Sequence, residues 1–193
     1  QVTDRFHVQK LALEALQDIR IKHRWEAIDK ENQDIQQARS KQIEHQPETF
    51  DNGDTRKQLL ARSRYLLYKA PNNWTQNQYI RSKILFDQYP DIKKAYSLVQ
   101  GLRNIFNTAT SIQTAYTKLA HWYKDVEQTG FKAFNTIANT ITINYRSILN
   151  YFINRSTNAS AESFNAKIKA FRTQFRGVKN VEFFLFRLTR IFA

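Results

Sequence analysis

A chain of 193 residues with no cysteine, 4 glycines and 3 prolines is long enough to bury one core, and it can form neither a disulfide nor a thiolate metal site. Its 30 Lys+Arg outnumber 17 Asp+Glu for a net charge of +13, a balance that favours a polyanionic partner, nucleic acid before an anionic membrane. No apolar run reaches the roughly 20 residues of a membrane span and no secretory-leader pattern opens the chain, so the expectation is a cytoplasmic protein with no membrane partner.

The scarcity of turn formers and the abundance of Gln, Lys, Arg, Leu, Ile and Ala predict an all-α chain of about seven or eight helices. Nothing breaks a helix over 6–46. Val8, Leu11, Ala15 and Ile19 recur at helical spacing, and Leu13 and Leu16 widen the stripe. Beyond Trp25 only Ile28, Ile35 and Ile43 interrupt a polar run, as in a long helix leaving the core or two helices with the second exposed. Pro47, Asn52 and Gly53 mark a turn over 47–54, and Leu59, Leu60, Leu66 and Leu67 a helix over 55–68. Pro71 interrupts it. Thr75 caps a helix over 75–89, Pro90 stops that one, and the next covers 91–105, with Gly101 a mild irregularity. Thr110 or Ser111 caps a helix ending near Gly130. Residues 131–152 keep helical period, although the β-branched run through Thr140 to Ile143 leaves a short strand open at 140–144. A polar loop over 154–159 leads to helices over 160–176 and 181–192.

The charge is uneven along this series. Residues 1–50 hold 8 basic and 9 acidic side chains, 51–100 hold 9 and 4, 101–154 hold 5 and 2, and 155–193 hold 8 and 2. The cationic footprint therefore belongs to the later three-quarters and is densest at the end.

One carboxylate stands out there. Glu162 opens a basic helix, with Asn165, Lys169 and Arg172 along the same side. Two readings stand. It is an ordinary first-turn acid favoured by the helix dipole, or it holds a metal ion beside cations that hold the flanking phosphates. Asp4, more than 150 positions earlier, divides in the same way between a terminal cap and a second metal ligand.

The segment Val2-Thr3-Asp4-Arg5-Phe6-His7-Val8 resembles the stretch around the second catalytic aspartate of DDE transposases from bacterial insertion sequences, in the ISL-three branch. Asn158-Ala159, Glu162, Asn165, Ile168-Lys169, Arg172, Arg176-Gly177 and the helix from Phe184 to Ile191 resemble that family's glutamate motif. Arg64 to Lys69, Tyr89-Pro90-Asp91, Ala95-Tyr96 and Trp122 resemble its helical region, so the likeness runs nearly end to end. Two positions depart: Ala159 stands where the family has Gly, and Arg176 where it has an aromatic residue.

The resemblance implies a parent with a ribonuclease-H-like α/β core and a helical insertion. It divides this chain into the end of that core (1–8), the insertion (9–153), and the catalytic and final basic helices (154–193). It implies DNA transposition by metal-dependent strand cleavage and strand transfer, with three carboxylates holding two Mg2+ or Mn2+ ions. One ion activates water or a 3′-hydroxyl and the other stabilises the leaving oxygen. Asp4 and Glu162 would be two of the ligands. The third would precede Gln1, and the lack of Met and the start at Gln1 lead us to expect an excised piece, inactive alone. Lys167, Lys169, Arg172, Arg176 and Asn165 would contact DNA, both transposon ends and target, and a homo-oligomer would be in keeping with the family. The alternative is a non-catalytic basic helical module that binds nucleic acid or assembles protein.

Other features carry less. His7, His23, His45 and His121 show no metal spacing, and Trp122 on an amphipathic helix reads as core. Tyr65, Tyr68, Tyr79 and Tyr89 alternate with Arg62, Arg64, Lys69, Arg81 and Lys83, a pattern equally suited to core packing and to nucleic acid. No Gly-rich phosphate loop, nucleophile elbow or Cys/His zinc set occurs.

Overall fold

The computed structural model describes residues 5–154. The chain divides into two units, Gln1–Ile153 and Asn154–Ala193. The expected loop at 154–159 and the helices at 160–176 and 181–192 lie outside the described residues, apart from Asn154.

Helix α1, Arg5–Ser40, is one unbroken element of 36 residues, about 54 Å long. It ends six residues before the expected boundary. Gln42 takes a left-handed conformation (φ 57°), and the Ile43 and Gln42 N–H groups turn back to the Ala38 and Arg39 carbonyls, both at 3.0 Å. That pair of reversed bonds stops a helix without the glycine that usually marks it.

The loop that follows is tied by an isolated antiparallel bridge between Thr49 and Thr55. Helix α2, Arg56–Arg62, starts at a capping box in which the Thr55 hydroxyl accepts from the Gln58 N–H and the Gln58 side chain accepts from the Thr55 N–H. Helix α3, Arg64–Tyr68, follows after Ser63 alone, so the expected helix over 55–68 is in fact two. A 3-10 turn at Pro71–Asn73 leads to α4, Gln76–Gln88, whose capping box repeats the first with Thr75 and Gln78. Helix α5, Pro90–Thr108, has Pro90 in its first turn, where the missing N–H costs nothing, and it runs straight through Gly101.

Helix α6, Ile112–Thr129, is capped by Ser111 and closed by Gly130 in the left-handed region (φ 68°). Helix α7, Lys132–Ile143, and helix α8, Tyr145–Asn154, divide the stretch expected to be one helix. The break is at Asn144, whose side-chain amide and backbone N–H both donate to the Thr140 carbonyl. The strand alternative at 140–144 is not realised. The Thr136, Thr140 and Thr142 hydroxyls each donate to the carbonyl four residues back, which accommodates the β-branched run inside a helix. The described residues contain eight α-helices and no strand, so the all-α expectation holds for them.

Helix α5 is the centre of the core. Ile92, Ala95, Leu98, Val99, Leu102, Ile105 and Phe106 are buried on it, and it packs against α1, α4 and α6. Helix α1 offers Val8, Ala12, Ala15 and Leu16 from its first half. Trp122 is core, as expected: its Nε1 donates to the Leu98 carbonyl at 2.9 Å and its ring lies over Gly101, where an added Cβ would meet it at 3.4 Å.

One carboxylate is taken fully out of solvent. Asp54 accepts from Arg62, from Arg81 Nε at 2.7 Å and from Asn52 Nδ2 at 2.9 Å. Burial alone would raise its pKa; the Arg81 and Arg62 donors outweigh it and hold the group below the ordinary carboxylate value. A depressed folded-state pKa stabilises the fold above the unfolded-state pKa, and that contribution is lost as pH falls through the folded value. Asp54→Asn should therefore lower stability at neutral pH and flatten the acid limb of a thermal-unfolding series. Asp54→Ala, which leaves the largely buried Arg81 guanidinium without its carboxylate while Arg62 can turn to solvent, should cost more than Asp54→Asn. An unchanged acid limb in Asp54→Asn would show that the pair contributes nothing.

Candidate nucleic-acid interface

A five-residue helix forms too few internal bonds to stand alone, and α3 is held at both ends by side chains from elsewhere. At its start, buried Arg20 of α1 donates through Nη1 to the Leu60 carbonyl at 2.9 Å and through Nε to Gln17 Oε1 at 2.6 Å. Gln17 Nε2 in turn donates to the Arg64 carbonyl at 3.3 Å. The Ser63 hydroxyl donates to the Leu59 carbonyl at 2.6 Å. The α2–α3 break thus falls where a guanidinium from another helix enters the backbone ladder.

At the other end, Trp74 Nε1 donates to the Leu66 carbonyl, Arg103 Nη2 to the Tyr68 carbonyl, and the Tyr96 hydroxyl to the Lys69 carbonyl, at 2.8, 2.9 and 2.8 Å. Gln100 Nε2 reaches the same Lys69 oxygen at 3.4 Å, and its Oε1 accepts from Arg103 Nη1 at 3.1 Å. Trp74, Phe86 and Tyr96 pack as an aromatic cluster beneath, with ring centroids 5.3–6.3 Å apart. Burial pushes the Tyr96 hydroxyl pKa well up, with Arg103 opposing, so it stays a neutral donor.

What this clamp presents to solvent is cationic and aromatic. Tyr65 is 67% exposed with the Arg64 guanidinium 5.5 Å from its ring centre, and Tyr68 is exposed on the same helix. Arg24, one turn beyond Arg20 on α1, is also exposed. The pKa of Arg20 is lowered first by burial, then by Arg24 and then by Arg64, so three guanidinium groups share one field. Among the described residues no carboxylate pairs with Arg24, Arg64 or Arg103. Uncompensated cations beside exposed rings suit a phosphodiester backbone with bases stacked on the rings. A second such pair lies on α4, with Lys83 Nζ 4.6 Å from the exposed Tyr79 ring.

The interleaved pattern in the sequence therefore resolves unevenly. Tyr65, Tyr68 and Tyr79 face solvent, while Tyr89 is buried and packs on His23, with centroids 4.7 Å apart. Arg62 and Arg81 serve Asp54, and Lys69 donates to Gln78 at 3.2 Å. Sequence reasoning missed Arg20, Arg24 and Arg103. Arg20 carried a usable signal, since it lies one turn after Leu16 on the apolar stripe of α1, where an arginine needs buried acceptors. His23 is held by Asp91 at 2.6 Å and by Glu26 at 3.0 Å. Among the described residues no three His, Cys, Asp or Glu side chains gather where they could hold a metal, and no helix is long and apolar enough to cross a membrane. Asp4, Glu162, Asn165, Lys167, Lys169, Arg172 and Arg176 all lie outside the described residues.

Residues 1–188 match the ISL3-type DDE family, described as Transposase. The chain belongs to that transposase family. It is similar to the transposase for insertion sequence element IS1001 of Bordetella parapertussis, 24% identical over 138 residues. That alignment covers 70% of this chain and 33% of the relative, so the chain spans about a third of the curated relative's length. No solved structure matches it.

The clamp makes a direct prediction. Arg20→Ala in the transposase should remove two buried hydrogen bonds and leave the Leu60 carbonyl unpaired, lowering stability by on the order of 2 kcal/mol. Amide protons of 64–69 should lose protection in hydrogen exchange before those of α5. Equal loss across both segments would mean that α3 does not depend on Arg20.

Proposed function

We propose that the intact protein transposes DNA by metal-dependent strand cleavage and strand transfer at transposon ends, and that this chain supplies two of three catalytic carboxylates together with a helical DNA-positioning region. The observation in the structure that supports the DNA-positioning part is the field shared by Arg20, Arg24 and Arg64 beside exposed Tyr65 and Tyr68. The division into core end (1–8), helical insertion (9–153) and catalytic plus final basic helices (154–193) belongs to the same reading, as does action in the cytoplasm.

Asp4 and Glu162 are the proposed ligands. Their carboxylate oxygens are the hard donors that Mg2+ and Mn2+ prefer. When bound, the ions would activate the attacking hydroxyl and neutralise charge on the leaving oxygen. Around them this chain's own side chains do the rest. Lys167, Lys169, Arg172 and Arg176 neutralise flanking phosphates, and Asn165 donates to the backbone. The Arg24–Arg64–Tyr65–Tyr68 surface holds a further stretch of duplex or frayed end and fixes its register.

Two experiments on the full-length protein separate the parts. Glu162→Gln and Asp4→Asn should each abolish strand cleavage while leaving DNA affinity within about twofold of the parent. Ferrous iron substituted for Mg2+ should cleave the backbone near both positions, which requires the two carboxylates to share one site. Retained cleavage activity in either variant would sink the catalytic assignment. The second experiment tests the surface. Arg24→Ala combined with Arg64→Ala should weaken binding to all DNA sequences alike and reduce the salt slope by about one unit for each phosphate no longer neutralised. Unchanged affinity and slope would remove this surface from the interface and leave the Glu162 test standing. Cleavage retained in Glu162→Gln together with weakened binding in Lys169→Ala and Arg172→Ala would favour a non-catalytic binding module.

A further inference from the structure

Helix α1 has two apolar sides. The buried one carries Leu16, Ala27 and Ala38, with Arg20 bolted into it. The other carries Ile21, Trp25, Ile28, Asn32 and Ile35, spaced 4-3-4-3. At 3.6 residues per turn this second stripe is centred about 120° around the helix from the first. Trp25 is 59% exposed and Ile21 39%, while Ile28 and Ile35 are half-buried and Asn32 is exposed. A tryptophan at that exposure, in register with isoleucines one heptad apart, is the seam spacing of a coiled coil rather than a scatter of surface residues.

We infer that this stripe pairs with the same stripe of a second copy, forming a parallel two-stranded coiled coil along α1. The charges beside the seam choose the partner. With Trp25 and Asn32 at the a positions and Ile21, Ile28 and Ile35 at the d positions, Arg24 falls at g and Asp29 at the following e. In a parallel pair, g of one helix faces e of the other five residues on. Arg24 of each copy then meets Asp29 of the other, twice by symmetry. Both side chains are exposed, and neither has an ion-pair partner within its own chain among the described residues. Asn32 would face its own counterpart, where two amides can hydrogen-bond to each other. An antiparallel pair would instead set Asn32 against Ile21 and leave the amide buried without a partner.

The seam is short, a little over two heptads, and would be marginal for a free peptide. Here the helix is already built and anchored by Arg20 and by packing on α5, so pairing does not bear the cost of nucleating it. The inference stands apart from the catalytic reading, because it uses neither Asp4 nor Glu162; it shares Arg24 with the proposed DNA surface, so Trp25→Asp and Ile28→Asp, which leave Arg24 in place, separate loss of the dimer from loss of DNA contacts.

The test uses the full-length protein. Sedimentation velocity should show a reversible dimer, and Trp25→Asp or Ile28→Asp should weaken self-association at least tenfold with the thermal midpoint little changed. Arg24→Asp should weaken the dimer, and adding Asp29→Arg should restore it, a rescue that damage to the fold would not give. This chain has no cysteine, so with any elsewhere in the protein replaced, Ile28→Cys should form an intermolecular disulfide on mild oxidation and Lys10→Cys should not. A protein that stays monomeric at tens of micromolar, an Ile28→Cys variant that does not cross-link, or a charge swap that fails to rescue would each overturn the proposal. So would cross-linking of Ile28→Cys to another segment of the same chain, which would make that segment the occupant of the stripe.

Discussion

The described part of the structure depends on how a broken helix satisfies its backbone. Between Thr55 and Lys69 the chain makes two short helices instead of one, and the break at Ser63 and the end of α3 leave carbonyl groups without helical partners. Arg20 and Gln17 from α1 serve the Leu60 and Arg64 carbonyls; Trp74, Tyr96 and Arg103 serve Leu66, Lys69 and Tyr68. A buried unpaired carbonyl costs about 1–3 kcal/mol, so these five bonds decide where α3 sits. They fix it against α1 on one side and α5 on the other, and they hold Arg64, Tyr65 and Tyr68 toward solvent as a rigid surface. A surface held this way would bind the proposed polyanion with little side-chain ordering left to do.

The same economy shapes α1. It packs on α5, α2 and α7, and its first half is an ordinary amphipathic helix. Past Arg20 a second apolar stripe opens about 120° around the helix from the buried one, so over the whole helix no single stripe dominates. The second half is long, charged and mostly exposed, yet it does not fray into coil. Glu31 pairs with Lys57 at 2.5 Å, His23 with Asp91, and Ala27 and Ala38 are buried. These contacts anchor the helix at intervals of about one to two turns and, among the described residues, leave its far side largely uncovered.

Much of this was legible in the sequence, and the misses have physical causes. Capping residues and prolines place the starts of α2, α4, α5 and α6 to within two residues, because Thr55, Thr75, Pro90 and Ser111 act locally. The core of α5 is readable because its apolar period is unbroken. The breaks at Ser63 and Asn144 are not, since each is stabilised by a hydrogen bond that periodicity does not see: Arg20 reaches Ser63's neighbourhood from 40 residues away, and Asn144 folds back on Thr140. The end of α1 at Ser40 was missed for a similar reason, because Gln42 adopts a left-handed conformation that its residue type does not announce. For the candidate surface, the tyrosine–cation alternation brings together residues of three different roles. Arg62 and Arg81 neutralise Asp54, Tyr89 packs on His23, and Tyr65, Tyr68, Tyr79, Arg64 and Lys83 face solvent.

The placement of the carboxylates follows from the same distinction. A DDE-type reaction needs acids held without cationic partners, so that their charge is left for metal ions. In the described region the buried acid does the reverse: Asp54 accepts from two arginines that depress its pKa, and a carboxylate whose charge two guanidinium groups already offset attracts a metal ion weakly. Asp91 is engaged by His23 and Glu31 by Lys57. The helical region between residues 5 and 154 thus commits Asp54, Asp91 and Glu31 to structural pairs and leaves Arg24 and Arg64 without carboxylate partners among the described residues. Holding a polyanion is the role proposed for the surface that carries these two arginines, and the proposed chemistry rests on Asp4 and Glu162, on either side of this region in the chain.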